Sequence, residues 1–222
     1  MDIESLNRNL PDCCDLAATP VASYSSEGQA MILQFLPGAR TVVVLGHHIQ
    51  ASLEWVWFPF AAERGGNTCA ADLHAKSILE SVSRLLESQG HKGLIIPYPN
   101  ACGISFKLLA AGTQMGEMGD SFLFLHETWG PWVHLRILLA DAEVIDRRAA
   151  KVAVCTHCGR CLESCPGKAL SPGYHDPQAC GHFQQKQRDK LAVKAGYRHK
   201  CEVCVGVCPV GQEPTAIEIK DK

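Results

Sequence analysis

Two cysteine-rich runs in the C-terminal third of the chain carry the residues best suited to chemistry. The first run has three cysteines at two-residue gaps and ends in a Cys-Pro pair: Cys155, Cys158, Cys161 and Cys165-Pro166. The second run repeats this pattern in shortened form: Cys201, Cys204 and Cys208-Pro209. Thiolates at this spacing wrap a tight loop around one iron–sulfur cube, and the chain then turns away toward a second cube. The pattern therefore predicts two 4Fe-4S clusters side by side.

Each cluster should take one thiolate from the other run, because the last cysteine of such a run binds the neighbouring cluster. We therefore expect the first cluster to be bound by Cys155, Cys158, Cys161 and Cys208. The second cluster then has Cys165, Cys201 and Cys204, and is one ligand short. Cys180 is the spare cysteine nearest to these residues, so it is the predicted fourth ligand.

Structural zinc and disulfide bonds are the alternatives for so many cysteines. Zinc is commonly bound by two pairs of cysteines at two-residue gaps, which requires neither three cysteines in a row nor a Cys-Pro ending. The chain opens with MDIESLNRNLPD, which lacks the apolar segment of a secretory signal. We therefore expect a cytoplasmic location, where the 12 cysteines are metal ligands or free thiols.

The composition indicates one full domain and a small one, with 222 residues of which 46% are hydrophobic. No stretch approaches the roughly 18 consecutive apolar residues of a membrane span. The net charge of -2 argues against nucleic acid as the main partner. Basic residues nevertheless cluster after Cys180, at Lys186, Arg188, Lys190, Lys194, Arg198 and Lys200. A solvated helix face is the simpler interpretation, and a docking patch for an acidic donor or RNA phosphates is the alternative.

Alternating strands and helices are predicted upstream of the cysteines. Apolar runs predict strands at 41–46, 94–99, 121–125 and 132–140. Helical spacing of apolar residues predicts a helix at 70–89, and 105–112 favours a second helix. This order indicates an α/β layer structure. The composition shifts to Cys, Gly and Pro near residue 148, so we expect an α/β domain over 1–148 and a ferredoxin-like domain with two 4Fe-4S clusters over 149–222.

The order of these parts resembles the epoxyqueuosine reductase family, whose relatives are the corrinoid reductive dehalogenases. Upstream stretches add to the resemblance: LPGARTVVVLG at 36–46, Asp72-Leu73-His74, Ile104-Ser105-Phe106-Lys107, Gly116-Glu117-Met118-Gly119 and Trp129-Gly130-Pro131. The resemblance implies a nitroreductase-like α/β domain that cups a cobalamin over the clusters. It also implies that a low-potential donor, such as a ferredoxin or flavodoxin, delivers the electrons.

The resemblance also singles out site residues in the α/β domain. Gly116 and Gly119 match the family's glycine-rich segment and are candidate cofactor-binding residues. Lys107 lies near the implied active-site cup and is a candidate catalytic residue, with a surface lysine as the alternative. Epoxyqueuosine reductases carry a proton-donating Asp ahead of the glycines, but PYPNACGISFK at 97–107 has no carboxylate. Reductive dehalogenases use a Tyr instead, which makes Tyr98 the candidate proton donor.

Two further departures concern the substrate. Asp120 stands where many members have Lys, and the sequence ends at Lys222 without the helical-repeat extension that the family uses for tRNA. These departures argue against tRNA epoxide reduction and leave cluster binding unaffected.

Three histidines are candidates for further roles. His47 and His48 directly follow the first predicted strand, and ligands bind at the carboxyl ends of strands in α/β sheets. Neutral imidazoles can ligate cobalt or donate protons, so both are candidate cofactor-binding residues, with a loop contact as the simpler alternative. His157 lies inside the first cysteine run, where its N–H can hydrogen-bond a cluster sulfur, although a spacer is the simpler interpretation.

Two functions follow from this sequence. The first is an iron–sulfur reductase that passes electrons through two clusters to a cofactor or substrate in the α/β domain. The second is a non-catalytic electron-transfer partner of the ferredoxin type. The large upstream domain favours the reductase, because a plain ferredoxin needs only the cluster segment, whereas the missing Asp favours the electron-transfer partner.

Overall fold

The computed structural model describes residues 2–55, 58–59, 67–97, 103–148, 153–195 and 201–211. The helices of the α/β part are α1 (Ile3–Asn7), α2 (Ser26–Phe35), α3 (Ala70–Ser88) and α4 (Phe106–Ala111), with short 3-10 turns at Val21–Ser23 and Ser52–Trp55. Its strands are β1 (Cys14–Pro20), β2 (Thr41–His48), β3 (Phe58–Pro59), β4 (Asn67–Thr68), β5 (Gly93–Ile95), β6 (Gly116–Met118), β7 (Phe124–His126) and β8 (Val133–Ala140). Within these ranges, no helix has both the length and the apolar character needed to cross a bilayer.

A four-stranded sheet in the order β1-β2-β8-β5 forms the centre of the α/β part. Every neighbouring pair is antiparallel, with Cys14 opposite His47 and Thr41 opposite Ala140. The two middle strands, β2 and β8, are buried at almost every position because both faces of the sheet are covered. The expected mixture of helices and strands is confirmed, and the sheet is antiparallel throughout.

Helices cover the sheet on both faces and form two apolar cores. Helix α3 turns Ala75, Leu79 and Leu86 toward the sheet at helical spacing, and they pack in one core with Leu45 and Leu138. The opposite core contains residues of α2, α4 and the other sheet face: Ile32, Leu109, Ala110, Val42, Val44, Ile137 and Leu139. Burying a side chain such as Leu79 contributes roughly 2 kcal/mol. The two cores hold β2 and β8 rigidly, which fixes the residues at their ends.

The strand predicted at 121–125 is partly wrong. Strand β7 begins only at Phe124 and pairs with β6 as a hairpin, with Gly116 opposite His126. Phe122 adopts a φ of 57°, in the left-handed region, so the chain turns there and cannot continue as a strand.

The cysteine-rich part consists of short elements: α5 (Arg160–Glu163), β9 (Leu170–Ser171), β10 (Tyr174–His175), α6 (Pro177–Ala195) and α7 (Val203–Gly206). Helices α5 and α7, one from each cysteine run, pack against each other. Among the side chains described in this part, those of 153–186 and 201–211, the buried apolar residues are only Val154, Ala169 and Val205. So small a core indicates that folding of this part depends on what its cysteines bind.

The end of the second cysteine run is pressed against the α/β part at two glycines. Gly130 has a φ of 56°, and a Cβ atom there would lie 2.1 Å from the carbonyl oxygen of Val210. Gly211 has a φ of 83°, and its Cβ would lie 2.2 Å from the carbonyl oxygen of Trp129. Both the backbone conformation and the lack of space therefore require glycine at these positions.

Candidate functional site

The first cysteine run and the end of the second meet around a small cavity. Its sulfur-bearing lining residues are Cys155, Cys158, Cys161 and Cys208. The run curls because His157 and Gly159 have φ values of 51° and 74°, and α5 begins at the next residue. The structure thus places together the four cysteines that were predicted for the first cluster.

Contacts from the β6 hairpin and its turn hold the first run in place. The Glu117 carboxylate accepts hydrogen bonds from the backbone N–H groups of Val154 and Cys155, each at 2.7 Å. Asp120 lies 3.0 Å from Nδ1 of His157, whose side chain is 74% exposed. His157 therefore bonds a carboxylate in this structure. The expected bond from its N–H to a cluster sulfur stays a prediction.

The thiols of the first cavity differ in their surroundings. The backbone N–H of Arg160 lowers the pKa of the exposed Cys158 thiol. Burial raises the pKa values of Cys161 and Cys208. Cys158 is exposed and faces solvent, whereas Cys155, Cys161 and Cys208 are partly buried.

A larger cavity of about 360 Å³ lies between the cysteine-rich part and the α/β part. Its sulfur-bearing lining residues are Cys165, Cys180, Cys201 and Cys204. Burial, together with the nearby thiols of Cys201, Cys180 and Cys165, raises the pKa of Cys204 to about 12. The structure thus gathers the four cysteines that were predicted for the second cluster, including Cys180 from far upstream.

The start of α6 explains how Cys180 reaches this cavity. Asp176 caps the helix, and its Oδ1 accepts from the backbone N–H groups of Gln178 at 2.9 Å and Ala179 at 3.0 Å. Pro177 occupies the first helical position, where its missing N–H carries no cost. Cys180 follows in the first turn, and its Sγ accepts a hydrogen bond from Gln184 Nε2 at 3.2 Å.

The wall of the larger cavity opposite the cysteines comes from the α/β part. Apolar side chains of Trp55, Phe106, Phe122, Val133 and Leu135 line it together with the polar Lys107 and His134. Lys107 Nζ donates to the carbonyl of Phe122 at 2.6 Å. Burial lowers the pKa of Lys107, against the opposing effect of the Cys204 and Cys180 thiols. The candidate catalytic lysine is thus a cavity residue beside the second set of cysteines.

The side chains of the two candidate histidines at the end of β2 lie on opposite faces of the sheet and have different neighbours. Strand β2 runs through His48, so His47 and His48 lie on opposite faces of the sheet. His47 Nε2 lies 2.8 Å from His74 Nδ1 on helix α3. The His48 ring stacks on Trp129, with centroids 5.1 Å apart. Neither residue lines the two cysteine cavities.

The remaining sequence candidates lie away from the cysteine cavities or outside the described residues. Gly116 lies in the β6–β7 hairpin, where a Cβ would come 2.0 Å from the carbonyl oxygen of Leu125. A Cβ at Gly119 would meet the Leu125 side chain at 2.7 Å, so both glycines serve close packing here. Their role in cofactor binding stays a prediction. Tyr98 lies outside the described residues, and of the basic cluster only the side chain of Lys186 is described.

Sequence reasoning missed a buried polar network between α3 and the sheet. Asp72 Oδ1 lies 2.9 Å from His134 Nε2 and 3.3 Å from Arg136 Nη1, and Asp72 is only 1% exposed. The sequence VHLRILLA already indicated this network: His134 and Arg136 are two residues apart in an otherwise apolar strand, so they lie on the same face of it. These residues position α3 against the sheet beside the larger cavity.

Comparisons with known proteins agree with this geometry. Residues 154–211 match the 4Fe-4S double cluster binding domain. The chain is 28% identical over 109 residues to epoxyqueuosine reductase of Lactococcus garvieae, covering 46% of this chain and 30% of that protein. It is 24% identical over 199 residues to epoxyqueuosine reductase of Synechocystis sp., covering 84% and 68%. Tetrachloroethene reductive dehalogenase of Desulfitobacterium hafniense is 27% identical over 127 residues, covering 50% and 23%.

Solved structures show the same likeness in fold. The crystal structure of an epoxyqueuosine reductase with a tRNA-Tyr stem loop gives a TM-score of 0.66 at 20% identity, covering 93% of this chain and 63% of that one. The catabolic reductive dehalogenase NpRdhA gives 0.58 at 14% identity, covering 90% and 30%. This chain therefore carries a 4Fe-4S double cluster binding domain on a fold that it shares with epoxyqueuosine reductases and reductive dehalogenases.

Proposed function

We propose that this chain is an iron–sulfur oxidoreductase that holds two 4Fe-4S clusters, one in each cysteine cavity. The observation that carries the proposal is the sorting of the cysteines: the last cysteine of each run, Cys165 or Cys208, lines the cavity of the other run. Bound clusters would supply one-electron transfer. The chain supplies the thiolates, the hydrogen bonds to them and the walls that exclude water.

The chemistry of the lining residues supports cubane clusters. Each cavity presents sulfur ligands from both runs, as two-cluster domains require. The backbone N–H of Ala169 donates to Cys165 Sγ at 3.3 Å, and Gln184 donates to Cys180 Sγ. Such N–H···S bonds stabilise thiolate ligands and help to set reduction potentials.

The two cavities suggest a direction for the electrons. Cys158 is exposed at the first cavity, which suits docking of a low-potential donor such as a ferredoxin or flavodoxin. The second cavity is walled by Lys107, Trp55 and His134 of the α/β part, which suits delivery to an acceptor there. We place this chemistry in the cytoplasm, because its reducing conditions keep thiols available as ligands.

The acceptor is either a small substrate at the second cavity or a cobalamin in the α/β domain, whose fold we propose is nitroreductase-like. Support for cobalamin comes from the relatives, since one solved reductive dehalogenase is described in terms of B12-dependent dehalogenation. The cavity of about 360 Å³ lies at the lower end of the range of about 300–1,000 Å³ for small-molecule pockets. The proposed second cluster would occupy part of this volume, so the remaining space beside it suits a small substrate.

Iron analysis of anaerobically purified protein tests the cluster assignment. We expect about eight irons per chain in the wild type and about four in Cys180→Ala, with one cluster lost. Cys102→Ala, at a cysteine that belongs to neither cysteine run, is the control and should keep all its iron. Iron-free wild type, or undiminished iron in Cys180→Ala, would refute the proposal.

An anaerobic cobalamin titration, followed by absorbance, separates the enzyme from the non-catalytic electron-transfer partner. Stoichiometric binding with a changed cobalamin spectrum supports a corrinoid enzyme. Absence of binding removes cobalamin as the acceptor. Reduction of small substrates by the loaded protein then decides between a cobalamin-free reductase and a ferredoxin-type partner.

A further inference from the structure

A second cluster of metal-ligating side chains lies on the α3 face of the sheet, apart from the two cysteine cavities. Cys13 immediately precedes β1, and Cys14 is the first residue of that strand. His47 lies at the end of β2, and His74 lies in the first part of α3. One ligand atom from each of these residues lies within 4.8 Å of all the others. Cys14 and His47 are directly opposite each other on neighbouring strands, so the sheet itself holds them together.

The backbone turns Cys13 toward the same point as Cys14. The Cys14 N–H donates to the carbonyl of Pro11 at 2.8 Å, and the His48 N–H donates to the carbonyl of Cys13 at 2.7 Å. These bonds fix the chain on both sides of the cysteine pair. Consecutive residues that would point apart in a regular strand therefore bring their sulfur atoms to 3.9 Å.

The separations match a tetrahedral metal site. Zinc–sulfur bonds of about 2.3 Å place two sulfur ligands about 3.8 Å apart across a tetrahedron, and the Cys13 and Cys14 sulfurs are 3.9 Å apart. Zinc–nitrogen bonds of about 2.0 Å place two nitrogens about 3.3 Å apart. The His47 and His74 nitrogens are 2.8 Å apart, so they need to separate by only a few tenths of an ångström.

A buried carboxylate stands behind His47, where a metal-bound histidine is usually supported. Oε2 of Glu54 lies 3.8 Å from the outer ring nitrogen of His47, Nδ1. Both atoms are buried, and neither has a hydrogen-bond partner among the described residues. Metal-ligating histidines commonly direct their second N–H at a carboxylate, which fixes the ring and its tautomer. The unpartnered pair is explained if His47 turns its other nitrogen, Nε2, to a metal ion.

We propose that Cys13, Cys14, His47 and His74 bind one zinc ion in a closed structural site. Two thiolates and two imidazoles are a ligand set typical of tetrahedral zinc, and two thiolates balance the ion's charge in a largely buried place. With all four positions taken by protein, the ion ties β1, β2 and α3 together and leaves no open position for a substrate. The site is independent of the iron–sulfur clusters.

Metal analysis of the full chain tests this site. Cluster-loaded protein is incubated anaerobically with one equivalent of zinc chloride, gel-filtered and assayed for iron and zinc in the same sample. We expect about one zinc per chain in addition to the iron, with a zinc-edge X-ray absorption spectrum of two sulfur and two nitrogen neighbours. Cys13→Ala and His74→Gln should each lower retained zinc at least tenfold while the iron content is unchanged.

His48→Gln is the matched control, because the neighbouring histidine of the same strand faces the other side of the sheet. It should retain its zinc. Absence of zinc from the wild type, a shell of four sulfurs, or equal zinc in all variants would overturn the site. Cys13 and His74 are both only partly buried, so we expect both variants to fold, and either one tests the site. Iron measured in parallel shows whether failure concerns this site or the proposed clusters.

Discussion

Lys107 brings a positive charge to the cavity that contains Cys180 and Cys204. Its bond to the carbonyl of Phe122 fixes the ammonium group in place, and the left-handed backbone at Phe122 sets the direction of that carbonyl. A fixed positive charge stabilises the more negative, reduced state of a centre bound by thiolates. We therefore expect Lys107 to set the potential of the second proposed cluster.

Replacing this charge tests the idea. Lys107→Met should lower the midpoint potential of one cluster by on the order of 60 mV, which is a tenfold change in a one-electron equilibrium, and leave the other unchanged. A redox titration monitored by electron paramagnetic resonance measures both. Lys92→Met, at an exposed lysine outside the cavity, is the control. Identical potentials in Lys107→Met and the wild type would rule out this role.

Asp72 is the centre of the buried polar network between α3 and the sheet. Burial alone would raise its pKa, but His134 and Arg136 hold the pKa of this carboxyl below its usual value. Thr68 Oγ1 adds a hydrogen bond at 3.2 Å. The carboxylate therefore compensates a buried guanidinium that would otherwise be costly.

Asp72→Asn should accordingly destabilise the protein at neutral pH. We expect the free energy of unfolding to fall by about 3 kcal/mol, because Arg136 loses its buried counter-charge. Urea titration followed by circular dichroism measures this change. Asp12→Asn removes an exposed carboxylate and should change the free energy by less than about 0.5 kcal/mol. Equal stability of the two variants would contradict the role of Asp72.

Among the elements, helix α3 was predicted best: the sequence predicted a helix over 70–89, and the structure has it at Ala70–Ser88. Its apolar residues recur at helical spacing and face a single partner, so local pattern and packing agree. The strand predicted at 41–46 was also confirmed, but it continues through His48 because β1 and β8 pair with its last residues. Partners from distant parts of the chain decide where such a strand ends, and the local sequence does not contain them.

Strand β1 was not predicted, because CDLAATP combines an acidic residue, two alanines and a terminal Pro. These residues have low strand propensity, and the strand forms because it pairs with β2 along its whole length. The candidate zinc site was missed for the same reason. Cys13 and Cys14 meet His47 only once this edge strand is in place.

The start of α6 is an element whose stability should affect metal binding. Asp176→Ala removes the cap of the helix that carries Cys180, at a cost of about 1 kcal/mol. We expect faster loss of about half of the iron to a chelator, since only the second cavity contains Cys180. Ser25→Ala removes a comparable cap from α2, where Ser25 Oγ accepts from Gly28 N at 3.2 Å. It should leave iron loss unchanged, and equal rates in the two variants would argue against this coupling.

At the scale of the whole molecule, the cysteine-rich part and the α/β part share one site. Sequence spacing was enough to group the cysteines of the two runs, because the crossing of the last cysteine is part of the two-cluster pattern. Cys180, which belongs to neither run, was chosen as the nearest spare cysteine. The opposite wall of the larger cavity could not be predicted, because Trp55, Lys107 and His134 come from three separated elements. The close contact of Gly130 and Gly211 with the backbone of the other part holds this wall next to the cysteines.

The contact between the two parts can be tested by replacing each of two glycines whose backbone is in the left-handed conformation. Gly130→Ala should destabilise the loaded protein more than Gly173→Ala, because a Cβ at Gly130 meets Val210 whereas the space around Gly173 is open. The backbone conformation alone should cost about 1–2 kcal/mol in Gly173→Ala. Thermal unfolding and iron retention measure the difference. If both variants lost the same stability, the contact would not hold the two parts together.

The crossed arrangement of the last cysteines has a consequence for synthesis. The first cavity lacks a ligand until Cys208 has been made, and the second lacks one until Cys204 has been made. A nascent chain that stops after the first run carries neither complete set of cysteines, so we expect the two proposed clusters to be completed only after the second run has been made. A chain truncated before Cys204 should accordingly retain neither proposed cluster with its full iron content.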